Sequence, residues 1–173
     1  MPTYKIHRYF DSHENKKTAW TSVHDIGSSI DEEAFRKEYT NIERAYIALI
    51  YMVFILSGDD YFCINEFEGD AVDIKSAITF SNKYGLDMVA DISVSEIDHD
   101  IKICMLANIL RLILREHVWG RVCSQSGIVF DFGYDYYLYI TGFQHPGLVD
   151  IAGMLGLEVV SIEKSPYSRS IGD

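Results

Sequence analysis

The stretch AYIALIYMVFIL, residues Ala45 to Leu56, is the longest apolar run in the chain, twelve residues without a charge. A membrane-spanning helix needs roughly 20 such residues, so the run predicts a helix of a protein core. It is apolar on nearly every side, which implies a central helix covered all round. Upstream, Ser29 and Glu32 form a Ser-x-x-Glu capping box that opens a helix through about Tyr39. Thr40 and Glu43 repeat the device. The pattern therefore predicts a second helix, or a kinked continuation of the first, running to Leu56 and stopping at Gly58.

Working outward, Thr3 to Phe10 is a predicted strand, followed by a polar loop at 11–18. Tyr61 to Phe67 is another. Asp70 caps a helix over Ala71 to Tyr84, with Asp73 in its first turn and Gly85 as its stop. Asp87 to Val94 is read as a strand. Ser95 and Asp98 start a long helix to about Trp119. On it Ile101, Met105, Ile109, Leu112 and Ile113 fall at core spacing, and Lys102, Asn108, Arg111 and Arg115 share the wetter side. Gly127 to Phe132 and Tyr136 to Thr141 flank Gly133-Tyr134-Asp135, a hairpin turn. Pro146 opens a short helix to Leu155, Gly156 ends it, and Leu157 to Glu163 is the last strand. The whole is an α+β single domain over 1–165, a central β-sheet packed against several helices, with a loose tail at 166–173.

Two segments align. Tyr61–Phe67 can be laid on Tyr137–Phe143, each followed by a helix and then by Gly85–Val89 or Gly156–Val160. This predicts two related strand–helix–strand units. Alternation along a strand points Phe62, Ile64, Leu138 and Ile140 into the core. Tyr61, Cys63, Asn65, Tyr137, Tyr139 and Thr141 then share the opposite, wetter face.

The 173 residues carry 26 acids and 15 bases, a formal charge of −11, with 48% hydrophobic content. That apolar density excludes wholesale disorder. The acid excess argues against nucleic acid as a partner, since phosphate affinity comes from clustered Lys and Arg. Cys63, Cys104 and Cys123 are odd in number and form no CxxC pair, so they are expected to be reduced, mostly buried thiols of a cytoplasmic protein. Met1 to Phe10 alternates polar with apolar residues and has no apolar run of a signal peptide; no membrane association is expected.

Catalytic patterns are sparse. Residues Glu96 to Asp100, around His99, hold metal-ligand types, but neighbours on a helix point apart, and the acids suit a helix start. Cys123 to Gly127 lacks the G-x-S-x-G arrangement, and neither a Walker A sequence nor G-x-G-x-x-G occurs. No catalytic residue, metal or cofactor is assigned. An enzymatic site would have to be assembled from dispersed residues such as His24, Asp25, Glu43, His117 and Cys123. A structural or interaction subunit would instead use the helix Ala45 to Leu56 against another chain.

Charge is concentrated. Between Ala45 and Ile101 eleven acids face only Lys75 and Lys83, a net −9 of the total −11. From Asp59 to Asp73 there are six acids (Asp59, Asp60, Glu66, Glu68, Asp70 and Asp73) and no base. A cationic partner would relieve their repulsion and be steered toward them. Separately, four of the twelve tyrosines fall in 134–139, and tyrosine is enriched at protein interfaces. Tyr134 and Asp135 at the turn, with Tyr137 and Tyr139 on the less apolar face, are the aromatic interface candidates.

This whole-chain character and the phrase Phe132-Gly133-Tyr134-Asp135-Tyr136-Tyr137-Leu138-Tyr139-Ile140 resemble immunity proteins of bacterial contact-dependent growth inhibition and related polymorphic toxin systems. The resemblance implies a stoichiometric inhibitor that covers the active or substrate-binding surface of a cognate toxin domain, commonly a nuclease. Asp59, Asp60, Glu66, Glu68 and Asp70 would then stand in for nucleic-acid phosphate against Lys and Arg of the toxin. The tyrosines would supply aromatic anchors.

Overall fold

The apolar run lies inside a single helix, α1 (Glu32–Ser57), 26 residues long, or about 39 Å at 1.5 Å per residue. A computed structural model of the chain describes residues 1–8, 23, 26, 32–90, 92–97, 100–133 and 137–167. Of the two alternatives at Thr40, a second helix does not form: α1 continues through it. The Thr40 hydroxyl donates to the Arg36 carbonyl one turn back, 2.9 Å, so it is a mid-helix residue bonded within its own helix. By length and composition α1 could cross a membrane. It buries nine side chains, from Tyr39 to Phe54, within the fold, as a core helix does.

That helix lies on a seven-stranded, wholly antiparallel sheet: β1 (Thr3–His7), β2 (Tyr61–Glu68), β3 (Ile101–Lys102), β4 (Trp119–Ser124), β5 (Val129–Phe132), β6 (Leu138–Thr141) and β7 (Glu158–Ile162). Their order is β3-β2-β4-β5-β6-β1-β7. Alternation holds as expected: Phe62, Leu138 and Ile140 are buried, and Ile64 packs against the same core. Phe54 of α1 stacks on Phe130 at 5.4 Å and meets Phe62 edge-on at 6.1 Å. This seats the helix over β2 and β5.

Among the described residues three more α-helices follow: α2 (Ala71–Tyr84), α3 (Leu106–Leu114) and α4 (Leu148–Met154). Helix α2 has the predicted bounds because its signals are local. Asp70 accepts from the Val72 and Asp73 N–H groups, Asp73 accepts from the Asp70 N–H, and Gly85 turns left-handed at φ 62.

Two predictions fail between Gly85 and Trp119. None of the described residues of 87–94 is in a strand. Asp87 accepts both a 2.8 Å and a 2.7 Å bond from Arg44 of α1, and the Ala90 N–H is 3.4 Å from the Asn108 side chain. These bonds hold the segment against the helices. The proposed duplication consequently loses its first unit's second strand, whereas β6, α4 and β7 retain theirs. The long helix from Ser95 is likewise replaced by a 3-10 turn at Val94–Glu96, by β3, and by α3 beginning only at Leu106. Asp98 lies outside the described residues.

Arg115, assigned to a wet helix face, is fully buried. Its guanidinium donates to both oxygens of Glu43 on α1, each at 2.7 Å, and to the Ser81 hydroxyl on α2 at 2.6 Å. Tyr39 reaches Glu43 at 3.4 Å, and Arg111 lies 3.6 Å from it. Glu43 thus serves an interhelical ion pair instead of a capping box. Replacing Glu43 with Leu, or Arg115 with Met, strands the remaining ion and should cost about 3–5 kcal/mol in urea unfolding. The double variant should lose clearly less than the two single losses combined; strict additivity would contradict the coupling.

Candidate functional site

Strand β2 separates the acids into two groups. Asp59 and Asp60 precede it, while Glu68 and Asp70 lie at its far end, roughly 26 Å away for eight extended residues. The expected single acidic surface is therefore divided, and several of its members have internal partners.

Asp59 is buried. It accepts from the Ser126 N–H at 3.0 Å, the Ser126 hydroxyl at 2.6 Å and the Ser57 hydroxyl at 2.8 Å. Burial pushes its carboxyl upward, but the bonds from these serines and Ser124 outweigh that and hold it below the ordinary value. It clamps the end of α1 to the turn between β4 and β5. Asp60 is exposed.

Glu66 sits in a bulge between Asn65 and Glu68, at φ 57, and lies 3.4 Å from Arg121. Arg121 also donates to Asp131 at 2.6 Å and to the Tyr167 carbonyl at 2.5 Å. Ser165 donates to Asp131 at 2.7 Å. Residues 165–167 therefore form a strap across β4, β5 and β6, and Tyr167, placed in the loose tail from sequence, is held by this network. The remainder of that tail, 168–173, lies outside the described residues.

The strap also alters the tyrosine candidates. Tyr139 is only 8% exposed, with the Tyr167 ring edge-on at 5.7 Å, so it is covered by this chain itself. Tyr137 remains half-exposed, the Lys5 ammonium 3.9 Å from its ring centre. Tyr134 and Asp135 lie outside the described residues. The predicted hairpin around them has the expected flanks: β5 and β6 pair antiparallel, with Phe132 opposite Leu138, and the Gly133 N–H donates to the Tyr137 carbonyl at 2.7 Å.

At this hairpin end the structure brings acids and aromatic residues together. A cleft of about 220 Å³ is lined by Glu68, Ile113, Glu116, His117, Val118, Trp119, Phe132 and Gly133. Glu68 is the cross-strand neighbour of Trp119, and Asp70 follows as the exposed cap of α2. Gly69 between them is required by close approach: a Cβ there would come within 2.6 Å of the Val118 side chain. Glu116 is exposed at φ 59, a left-handed conformation uncommon for a residue other than glycine. It reverses the chain from α3 into β4.

Glu116 and Trp119 are not among the sequence candidates, and His117 is one only for an enzymatic site, because the predicted helix runs through all three to about Trp119. The alternation in Trp119–Ser124, with Gly120, Val122 and Ser124 buried between half-buried neighbours, was the available strand signal. Among the described members of the dispersed set, Glu43 lies in the helix layer, while Cys123 is on the opposite face of the sheet; His24 and Asp25 lie outside the described residues. Burial, followed by the neighbouring Cys63, pushes the Cys123 thiol up to about 11. Contrary to expectation, the thiols are not mostly buried: Cys63 and Cys123 are half-buried and Cys104 is exposed. Among the described residues, no three His, Cys, Asp or Glu side chains form a group able to hold a metal. Comparison with protein-family models, curated proteins and solved structures finds no match to this chain.

Asp59 generates an acid-stability prediction. Its native pKa is lowered, so its stabilisation is present at neutral pH and is lost as pH falls through the native value. Asp59→Asn should reduce stability at neutral pH by about 1–3 kcal/mol. Thermal melts followed by circular dichroism should also show a shallower loss below about pH 4. An unchanged acid limb would exclude this carboxylate as a contributor.

Proposed function

We propose that this chain is an immunity protein that binds and neutralises a basic toxin domain, acting stoichiometrically in the cytoplasm without a cofactor. The observation carrying this reading is the cleft in which Glu68 and Glu116 stand beside Trp119 and Phe132, at the base of the tyrosine-rich hairpin. Carboxylates at the edge of an aromatic cleft suit a partner that presents Lys or Arg beside apolar surface: the charges steer it and the rings anchor it. The reading concentrates binding on Glu68, Glu116, Trp119, Phe132 and Tyr137, with Asp70 at the margin. Asp59, Glu66 and Tyr139 support the surrounding structure. Asp60, at the other end of β2, is outside this surface.

A second reading, an interaction subunit of an intracellular assembly, is favoured by one specific observation. Near the end of α1, Met52, Ile55 and Leu56 are 36%, 63% and 39% exposed, and their spacing puts them on one side of the helix. In that case Ile55→Glu would remove association, whereas charge reversal at the cleft would leave it intact.

The test is co-expression with the toxin domain of a large secreted protein encoded beside this gene. The immunity reading expects a one-to-one complex, weakened by salt, that abolishes the toxin's activity. In the complex, Glu68→Lys with Glu116→Lys should slow association by about tenfold at low salt while the circular dichroism spectrum is retained. An unaltered association rate would remove the cleft from the interface. Failure to form any complex would overturn the immunity reading.

A further inference from the structure

The face of the sheet turned away from the helices carries a pair of thiols. Cys63 on β2 and Cys123 on β4 are direct cross-strand partners. Antiparallel partners have Cα atoms about 4.5 or 5.5 Å apart, within the roughly 4.4–6.8 Å range that a disulfide spans. Both side chains project from the same face, and neither is fully buried. The Asn65 side chain touches both: its amide nitrogen donates to the Cys123 sulfur at 3.3 Å, and its oxygen lies 3.7 Å from the Cys63 sulfur.

We infer that Cys63 and Cys123 are a redox-modifiable dithiol, closing to a cross-strand disulfide when met by a low-molecular-weight disulfide such as glutathione disulfide. Nothing in the inference depends on the toxin-binding reading. The reaction is two successive thiol–disulfide exchanges. The Cys63 thiolate, its proton lost to water, attacks one sulfur of the oxidant. A protein–glutathione bond forms, the glutathione S–S bond breaks, and glutathione thiolate leaves. The Cys123 sulfur then loses its proton, attacks the Cys63 sulfur of the mixed disulfide and expels the second glutathione thiolate. Two protein thiols are oxidised, and one glutathione disulfide is reduced to two thiols after protonation.

The order follows from environment. Burial and the adjacent Cys63 hold Cys123 protonated at neutral pH, with its pKa near 11, whereas a thiolate is the attacking species. With Cys123 disfavoured as the first attacker, Cys123 resolves the mixed disulfide on Cys63 from its cross-strand position. Cys104 is exposed and belongs to neither of these strands, so it provides an internal reference for oxidation without ring closure.

The test uses the full chain and its Cys104→Ser variant, each incubated with glutathione disulfide at mildly alkaline pH, acid-quenched, treated with N-ethylmaleimide and weighed by intact mass spectrometry. The expected product of Cys104→Ser has lost two hydrogens and carries neither glutathione nor maleimide. Proteolysis should yield a linked peptide pair containing Cys63 and Cys123, and dithiothreitol should restore two alkylatable thiols. In the unaltered chain the same linked pair should appear while Cys104 accumulates glutathione. The inference is overturned by a persistent glutathione adduct on Cys63 with Cys123 alkylated. It is equally overturned if both thiols remain free while Cys104 of the unaltered chain is oxidised under the same conditions.

Discussion

The ion pair between Glu43 and Arg115 constrains the rest of the helix layer. Burying two opposite charges is unfavourable unless geometry and additional hydrogen bonds compensate. Here the guanidinium meets both carboxylate oxygens and a serine hydroxyl, so α1, α2 and α3 are tied through one group. Translating any of the three along its axis would leave an ion buried without its partner. Arg115 follows the last residue of α3, and the left-handed Glu116 comes next. The chain must therefore turn immediately after its anchor, which brings His117 and Trp119 to the mouth of the cleft. A charge pair internal to the fold thus positions an exposed site that it does not touch.

The acid excess takes a different meaning once partners are assigned. Asp59 holds a turn, Asp70 and Asp73 cap a helix, and Glu66 joins the strap network. Asp87 pairs with Arg44, whose hydrogen bond and charge hold its carboxyl below the ordinary value despite partial burial. A dense run of carboxylates in one dimension is thereby distributed among separate structural tasks. Glu68 and Glu116, nearly fifty positions apart in the chain, meet at one cleft because β2 and β4 are adjacent in the sheet.

Features governed by near neighbours were legible in the sequence: the Asp70 cap, the Gly85 stop, the alternation of Phe62 and Leu138, the antiparallel pairing of β5 with β6. The single-domain α+β class followed from these. Features governed by distant partners were not. Nothing local distinguishes Arg115 from a solvated arginine, because its burial depends on Glu43 and Ser81 on other helices. Thr40 and Glu43 have the spacing of a capping box but sit mid-helix, since the apolar surface on both sides of Thr40 favours continuous packing. The segment after Gly85 carries strand-forming residues, yet the pull of Arg44 on Asp87 keeps it against the helices. Spacing identifies what a residue can do locally, and tertiary partners select among those uses.

Strand β1 gives the topology a temporal consequence. It lies between β6 and β7, and Thr3 faces Thr141 across 138 residues of sequence. Strand β1 must wait for β6 or β7, more than 130 residues later, before any of its ladder bonds can form. Such long loop closures raise the entropic barrier to folding. During translation β2, β4 and β5 can assemble with α1 while β1 remains unpaired. Closure of the sheet consequently waits until β6 and β7 are available to pair with β1.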